Sequence, residues 1–325
     1  MDSIIAKEGQ HNPVMVNEVI EYLKPFDGGV YFDGTVGMGG HTRAILDASA
    51  PGGRVVGVDL DRNAVEVASD KLSSFGDRVK IKHGNYSNIV ETLSEEGLSS
   101  VDGIVIDLGL GTHQLSSEER GFSIELGGPL DMRYDPTVGI SAKEVVNRFP
   151  QRELEEIFRE LGEEWKAKAV VREIVKAREK EEIKDAHELS TIIKRAIAKS
   201  LKSSKVRMKI HPATRTFMAL RIFVNRELDN LTGFLPVAIT ALKEGGVIVV
   251  ISFHSLEDRI VKTMFRRYAG KGGYKAEDRW SENVELPRIS ILTKKPITPN
   301  PDEVRLNRRA RSAKMRAARR INHGD

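Results

Sequence analysis

The sequence predicts an α/β fold, a parallel sheet covered by helices on both faces, with an all-helical insertion. In the first third of the 325-residue chain, short aliphatic runs alternate with helical patterns. The pattern then becomes purely helical from residue 141 to 201, and a buried-type strand returns at 245–253. Strand–helix alternation favours a parallel sheet, and the helical stretch that interrupts it indicates an insertion.

The strands of this sheet can be placed in order. They are predicted at residues 30–36, 54–59, 79–83 and 101–108, with helices at 40–49 and 62–74 between them. Ligands of such sheets bind at the carboxyl ends of the strands. Asp33, Asp59 and Asp107 all fall at those ends. We therefore expect a binding site where these three acids meet.

The insertion and the return to the sheet follow. A capping box at Ser141-x-x-Glu144 starts the helical stretch, and Pro150 ends its first helix. A helix at 213–231 leads back to the sheet, and residues 286–295 alternate like an added antiparallel strand. The predicted division is a sheet domain at 1–118 and 213–325 and an inserted helical domain at 119–212.

Composition narrows the class of protein. A chain that is 40% hydrophobic and 30% charged is ordinary for a soluble globular protein, and no apolar stretch approaches the ~20 residues that span a bilayer. The absence of cysteine excludes disulfides and cysteine-bound zinc, and it fits a cytoplasmic location. The eight histidines are scattered, so we expect no metal site.

Basic residues are concentrated in two blocks, although the net charge is only +4. Residues 194–209 hold seven basic residues and no acid, and residues 305–320 hold eight and no acid. Such blocks are typical of a polyanion-binding surface, and the alternative is a solvated helix face or tail. Beside a nucleotide-type site, they favour nucleic acid as the partner.

The first strand runs into a glycine-rich turn that indicates a cofactor. Its sequence is Phe32-Asp33-Gly34-Thr35-Val36-Gly37-Met38-Gly39-Gly40-His41. The glycines permit close approach of a ligand, and Asp59 sits where a ribose diol is usually bound. Thr42 replaces the third glycine of the dinucleotide fingerprint, and the charge of Asp33 would repel a pyrophosphate. Asp33 would attract the ammonium and sulfonium of S-adenosylmethionine, which favours that cofactor; a nicotinamide oxidoreductase remains the alternative.

Two further segments are candidates for the chemistry. After the fourth strand, Asp107 and the carbonyl of Leu108 could accept the hydrogens of an exocyclic amine. Alternatively, Asp107 only holds the cofactor. After the strand at 245–253, His254 could accept a proton. Alternatively, His254 braces a loop beside a helix cap.

Three residues of the insertion and its exit are candidates for RNA contacts. Arg215 and Arg221 could bind phosphate, although an ion pair between Arg221 and Glu227 is equally consistent with the sequence. Phe122 could stack on a base or anchor its loop as a buried residue.

Motifs along nearly the whole chain resemble one family, the ribosomal RNA small subunit methyltransferase H (MraW) family. The matching segments are His11-x-Pro13-Val14, Asp33-Gly34-Thr35-x-Gly37-x-Gly39-Gly40-His41, Asp107-Leu108-Gly109, Gln114-Leu115, Arg120-Gly121-Phe122-Ser123, Gly128-Pro129-Leu130-Asp131-Met132-Arg133, His211-Pro212-Ala213-Thr214-Arg215-Thr216-Phe217, Ile251-Ser252-Phe253-His254-Ser255-Leu256-Glu257-Asp258-Arg259 and Arg309-Ala310-Arg311-Ser312-Ala313-Lys314. Their order and number make the resemblance specific.

The resemblance implies a Rossmann-like class I methyltransferase sheet that uses S-adenosylmethionine. It implies N4-methylation of one cytidine of 16S (small-subunit) ribosomal RNA near the decoding site, with the 30S subunit as partner and a homodimer as one option. The positions that bind the cofactor in the family correspond to Gly39, Gly40, His41, Asp59, Tyr86, Asp107 and Gln114.

The chain departs from the family at two places. Tyr86 stands where the family usually has Phe. Gly111-Thr112-His113 replaces the usual Ser-Ser-Pro, which leaves open an RNA-binding protein of the same fold with lost or altered methyl transfer.

Overall fold

The computed structural model describes residues 13–111, 114, 120–200, 210–271 and 288–321, which fall into two compact units. One unit combines Met1–Gly109 with Leu228–Asp325, and the other is Leu110–Glu227. The second unit is wider than the predicted insertion at 119–212. It includes the helix Thr214–Asn225, which the sequence assigned to the sheet domain, because Phe217 and Leu220 of this helix are buried in the insertion's core.

The first unit contains a seven-stranded sheet. Its strands are β1 (Val30–Asp33), β2 (Arg54–Asp59), β3 (Val79–His83), β4 (Val101–Asp107), β5 (Leu242–Ser252), β6 (Ile289–Ile291) and β7 (Lys314–Arg320), in the order β3-β2-β1-β4-β5-β7-β6. Strands β1 to β5 pair in parallel, and β7 is antiparallel to both β5 and β6. The predicted α/β sheet with a helical insertion after its fourth strand is confirmed, and so is the added antiparallel strand at Ile289–Ile291.

The helices of the first unit cover both faces of this sheet. They are α1 (Val16–Leu23), α2 (Gly40–Ala48), α3 (Arg62–Leu72), α4 (Ile89–Glu95), α10 (Glu227–Ala241), which begins at the last residue of the second unit, α11 (Ser255–Tyr268) and α12 (Pro301–Leu306). Neighbouring residues of a strand point to opposite faces, so Tyr31 and Phe32 enter different apolar cores. Burial on both faces explains why the central strands β1, β2, β4 and β5 contain nearly continuous aliphatic runs.

The second unit is helical, with a core of its own. Its helices are α5 (Ala142–Arg148), α6 (Gln151–Glu160), α7 (Ala167–Arg178), α8 (Ala186–Ser200) and α9 (Thr214–Asn225). The predicted capping box is present: the Ser141 hydroxyl accepts the Glu144 N–H at 3.2 Å, and the Glu144 carboxylate accepts the Ser141 N–H at 3.0 Å. No helix within the described ranges is long and apolar enough to cross a bilayer.

The second basic block does not form a solvated tail, which was one of the alternatives that the sequence left open. Lys314–Arg320 is strand β7, hydrogen-bonded between β5 and β6. Arg316 is only 7% exposed, and its guanidinium binds Asp258 through two contacts of 2.7 and 3.2 Å. Arg308, Arg309 and Arg311 stay exposed. Of the first block, residues 194–200 end α8, and 201–209 lie outside the described residues.

Candidate active site

The carboxyl ends of three parallel strands meet at one end of the sheet. Asp33 of β1 pairs in register with Gly57 of β2 and with Val105 of β4. Asp59 and Asp107 are the last residues of β2 and β4. The structure therefore brings together the three acids that the sequence placed at a common site.

The glycine-rich turn is fastened to β2 and opens helix α2. The Gly37 N–H donates to Asp59 Oδ2 at 2.8 Å. Gly39 has a φ of +83° and caps the helix, and a Cβ on Gly40 would lie 2.6 Å from Pro13 Cγ. The N–H groups of Gly40, His41 and Thr42 make no hydrogen bond to the described residues. Free N–H groups at a helix N-terminus form a binding site for an anionic group such as a carboxylate.

Asp33 lies beneath this turn, not at its exposed entrance. It is 1% exposed and accepts hydrogen bonds from the Thr35 N–H at 3.1 Å and from Thr42 Oγ1 at 2.7 Å. Burial raises the pKa of the Asp33 carboxyl, against the lowering effects of His41 and of these two hydrogen bonds. Thr42, which replaces the third glycine of the dinucleotide fingerprint, therefore supplies the buried hydroxyl that Asp33 requires.

His41 and Asp107 form a buried pair beside Asp33. The His41 Nε2 lies 3.5 Å from Asp107 Oδ2, and the two side chains are 5% and 19% exposed. Burial alone would lower the pKa of His41, but Asp107, Asp33 and Glu303 together raise it above its usual value. The folded protein therefore favours the imidazolium form of His41 more than the unfolded chain does.

The backbone around Asp107 fixes the position of its carboxylate. The Asp107 N–H donates to Thr35 Oγ1 at 2.7 Å, and Asp107 Oδ1 accepts the Gly109 N–H at 3.2 Å. Oδ2 faces His41. A carboxylate has about four lone-pair positions, so these contacts leave acceptor capacity for a ligand.

Asp59 and Tyr86 are held at the same end of the sheet. The second Asp59 oxygen, Oδ1, accepts the Asp61 N–H at 2.9 Å. Tyr86 is 8% exposed, and its ring packs edge-on against Phe234 at a centroid distance of 5.0 Å. A Cβ on Gly34 would lie 2.8 Å from the Tyr86 Cβ, so Tyr86 borders the glycine-rich turn.

His254 occupies the N-cap of α11. Its Nδ1 accepts the Glu257 N–H at 3.4 Å, and its Nε2 lies 3.1 Å from Glu257 Oε1. Glu257 Oε2 in turn accepts the N–H groups of Phe253 at 2.7 Å and of His254 at 3.2 Å. Of the two roles that the sequence left open for His254, the geometry shows the helix cap; a role in proton transfer is not tested by it.

Two further residues that the sequence singled out, Gln114 and Phe122, belong to the second unit. The Gln114 side chain accepts the Gly111 N–H at 3.0 Å, and Thr112 and His113 lie outside the described residues. Phe122 is buried and stacks on Tyr134 at 5.7 Å, so it anchors its loop.

The two arginines that the sequence singled out for phosphate binding have different hydrogen-bond partners within the second unit. Arg221 binds Glu227 through two hydrogen bonds of 2.8 and 2.9 Å, as the ion-pair alternative predicted. Arg215 is tied to the Glu163 carbonyl at 3.0 Å.

Three residues of the site were missed in the sequence. Thr35 and Thr42 lie within or beside the quoted turn, and their polar side chains in an otherwise apolar and glycine-rich segment were the available signal. Glu303 had no local signal, because it accepts the Met15 N–H at 2.7 Å across 288 residues of sequence.

Comparison with known proteins extends this description. The chain matches the MraW methylase family over residues 8–321. It is 46% identical over 319 residues to the ribosomal RNA small subunit methyltransferase H of Pelobacter propionicus, covering 96% of this chain and 99% of that protein. It is 48% identical over 311 residues to the protein of the same name from Geobacter sp. (strain M21), covering 96% and 98%.

Proposed function

Because the chain belongs to the MraW methylase family, we propose that it methylates small-subunit ribosomal RNA, at the exocyclic N4 of one cytidine near the decoding site. S-adenosylmethionine is the methyl donor. The match over residues 8–321 carries the proposal, because relatives of the same length are named ribosomal RNA small subunit methyltransferase H.

The residues of the site fit this cofactor. The free N–H groups at the start of α2 suit its carboxylate, and the carboxylates of Asp59 and Asp107 suit its ribose hydroxyls and its cationic groups. Tyr86 would border the adenine. When bound, S-adenosylmethionine supplies the methyl group of its sulfonium, and the sulfur is left as a neutral thioether. A pyrophosphate would meet the carboxylates of Asp59 and Asp107 here, which disfavours a nicotinamide dinucleotide.

We assign Asp107 the role of holding the amine. The N4 lone pair of cytosine is delocalised into the ring, so the amine must be turned toward tetrahedral geometry before it can attack. Asp107 and the Leu108 carbonyl would accept its two hydrogens and hold it in that geometry. Asp107 is suited to this task because its backbone and one oxygen are already fixed by Thr35 and Gly109. Orientation of this kind lowers the barrier without a covalent intermediate.

The test is methylation of defined RNA. The protein is incubated with S-adenosylmethionine carrying a labelled methyl group and with 30S subunits that lack the modification, and the RNA is digested and analysed by mass spectrometry. We expect labelled N4-methylcytidine in one fragment. Label on another atom would overturn the assignment of N4. RNA binding without any transfer would favour an RNA-binding protein that has lost the activity.

A calorimetric titration addresses the oxidoreductase alternative. We expect S-adenosylmethionine to bind and NAD to release no measurable heat at the same concentrations. Binding of NAD alone would contradict the proposed function.

A further inference from the structure

A cleft on the first unit is lined by positive charge. It lies between helix α11 and the segment that follows β6, and it has a volume of about 210 Å³. Its cationic lining residues are Lys262, Arg266, Lys271, Lys294 and Arg316. No acid lines it among the described residues. All of these residues except Arg316 lie outside the two basic blocks found in the sequence, because they are dispersed along the chain.

The exposed cations of the cleft have no acidic partners among the residues that the structure describes. Lys262, Arg266, Lys271 and Lys294 are all exposed, and none lies within ion-pair distance of a carboxylate in the described part of the chain. Like charges held close together repel one another, which raises the electrostatic free energy of the protein unless an anion lies between them. Elsewhere on this unit, the exposed Lys80 and the half-buried Lys82 do have acidic partners.

Arg316 forms a preorganised wall of the cleft. It is 7% exposed, and Asp258 holds its Nε and Nη2 at 2.7 and 3.2 Å. Its Nη1 makes no hydrogen bond to the described residues. A guanidinium fixed in this way can offer its remaining donors to a phosphate oxygen with little loss of conformational entropy.

The cleft follows α11 away from the methyl-transfer site. Helix α11 begins at Ser255, two residues after Phe253, and a Cβ built on Gly109 would lie 2.7 Å from the Phe253 ring. At a rise of ~1.5 Å per residue, Lys262 is about 12 Å and Arg266 about 18 Å along the helix from His254. A second hollow shares Lys271 with the cleft and adds Arg319 and Arg320 together with one acid, Glu244, so basic residues remain in excess beyond the cleft.

We propose that this cleft binds the phosphate backbone of the RNA substrate a few nucleotides from the methylated base. The inference rests on the proposed function for its ligand. Several unpaired cations along a groove, with a buried arginine in its wall, match the charge of a polyphosphate chain more closely than that of a single small anion. Contacts of this kind position the RNA and do not read its sequence.

The experiment compares two triple variants that remove the same charge. One carries Lys262→Ala, Lys271→Ala and Lys294→Ala in the cleft. The matched control carries Lys24→Ala, Lys71→Ala and Lys80→Ala. These three exposed lysines lie outside the cleft, directly after α1, in α3 and in β3. Affinity for a protein-free fragment of small-subunit RNA is measured at several salt concentrations, together with the thermal midpoint and the affinity for S-adenosylmethionine.

We expect the cleft variant to bind RNA about tenfold more weakly or worse, and the salt slope of its affinity to fall by about 2. The control variant should bind within about twofold of the wild type. A third variant with Lys→Arg at the same three cleft positions should bind like the wild type, because it keeps the charge. Stability and cofactor affinity should be unchanged in all three.

Three outcomes would overturn the cleft proposal. Equal weakening by the cleft and control variants would show a general charge effect. Unchanged affinity of the cleft variant would show that RNA does not contact the cleft. A loss confined to 30S subunits, with normal binding of protein-free RNA, would assign the cleft to a ribosomal protein. Failure of the wild-type protein to bind small-subunit RNA would instead contradict the proposed function.

Discussion

Two histidine–carboxylate pairs lie near strand ends of the same sheet, and their structural roles differ. His41 Nε2 lies 3.5 Å from Asp107 at the ends of β1 and β4, and His254 Nε2 lies 3.1 Å from Glu257 after β5. In the second pair, the remaining atoms are used to cap α11. In the first pair, the His41 ring has no capping role and is surrounded by the charges of three acids. The same two functional groups thus cap a helix in one place. In the other place they bring a histidine close to acids that raise its pKa.

The largest expected difference between the two pairs is in catalysis. Asp107→Asn keeps an oxygen for the Gly109 N–H but removes the charge that faces His41 and, in our proposal, the cofactor and the amine. We expect kcat/KM for RNA methylation to fall by roughly 10²-fold or more, as for the loss of one fixed group that stabilises a transition state. Steady-state methylation assays measure this effect.

Glu257→Gln is the matched change in the other pair. It replaces a carboxylate by an amide of the same shape and keeps an oxygen for the Phe253 N–H. We expect kcat/KM of the folded protein to stay within a few-fold of the wild type. Equal losses in Asp107→Asn and Glu257→Gln would remove the functional distinction between the pairs.

The next-largest expected effect is on the stability of the protein, through the buried Asp33 beneath the glycine-rich turn. Thr42→Val keeps the shape of the side chain but deprives the buried Asp33 of a 2.7 Å hydrogen bond. We expect the free energy of unfolding to fall by about 1–3 kcal/mol, because a buried acceptor loses its donor. Urea denaturation measures this change.

Thr216→Val provides the control for Thr42→Val. The Thr216 hydroxyl is buried and has no hydrogen-bond partner among the described residues. Its removal should leave stability unchanged or slightly raised. A similar loss in both variants would mean that the hydrogen bond to Asp33 contributes nothing specific.

The features that could be predicted are those encoded by neighbouring residues. Strands β1, β2 and β4 are buried on both faces, so each forms an aliphatic run, and Asp33, Asp59 and Asp107 mark where those runs stop. Parallel pairing then brings the three acids together. The glycine-rich turn is likewise a local requirement, because Gly39 takes a positive φ.

The features that could not be predicted depend on distant partners. The sequence left open a basic tail at the position of strand β7. The acid that neutralises Arg316 is Asp258, which lies 58 positions away and gives no local signal. The paired backbone of β7 and its small buried residues, such as Ala317 and Ala318, outweigh the tendency of a basic segment to stay in solvent. The raised pKa of His41 similarly depends on Glu303, which no local pattern connects to the turn.

His254 offers a smaller test of the comparison. His254→Ala removes the cap acceptor and should lower the free energy of unfolding by about 1 kcal/mol, whereas His254→Asn keeps an acceptor and should cost only a few tenths. Both variants should retain methyl transfer per folded molecule. A tenfold or greater loss of kcat in both, with normal cofactor affinity, would instead establish that His254 takes part in proton transfer.

The smallest expected effect is a pH dependence of stability that belongs to His41. Its pKa is raised in the folded protein, so the folded state binds the proton more tightly than the unfolded state. The resulting stabilisation is complete below the ordinary histidine pKa of about 6.5 and is lost as the pH rises through the raised value. The difference in unfolding free energy between wild type and His41→Asn should therefore shrink from pH 6 to pH 9. Subtracting the two profiles removes contributions that both proteins share. A difference that stays flat or grows would mean that the surrounding acids do not favour the imidazolium, and His41 would then differ from His254 only in its position.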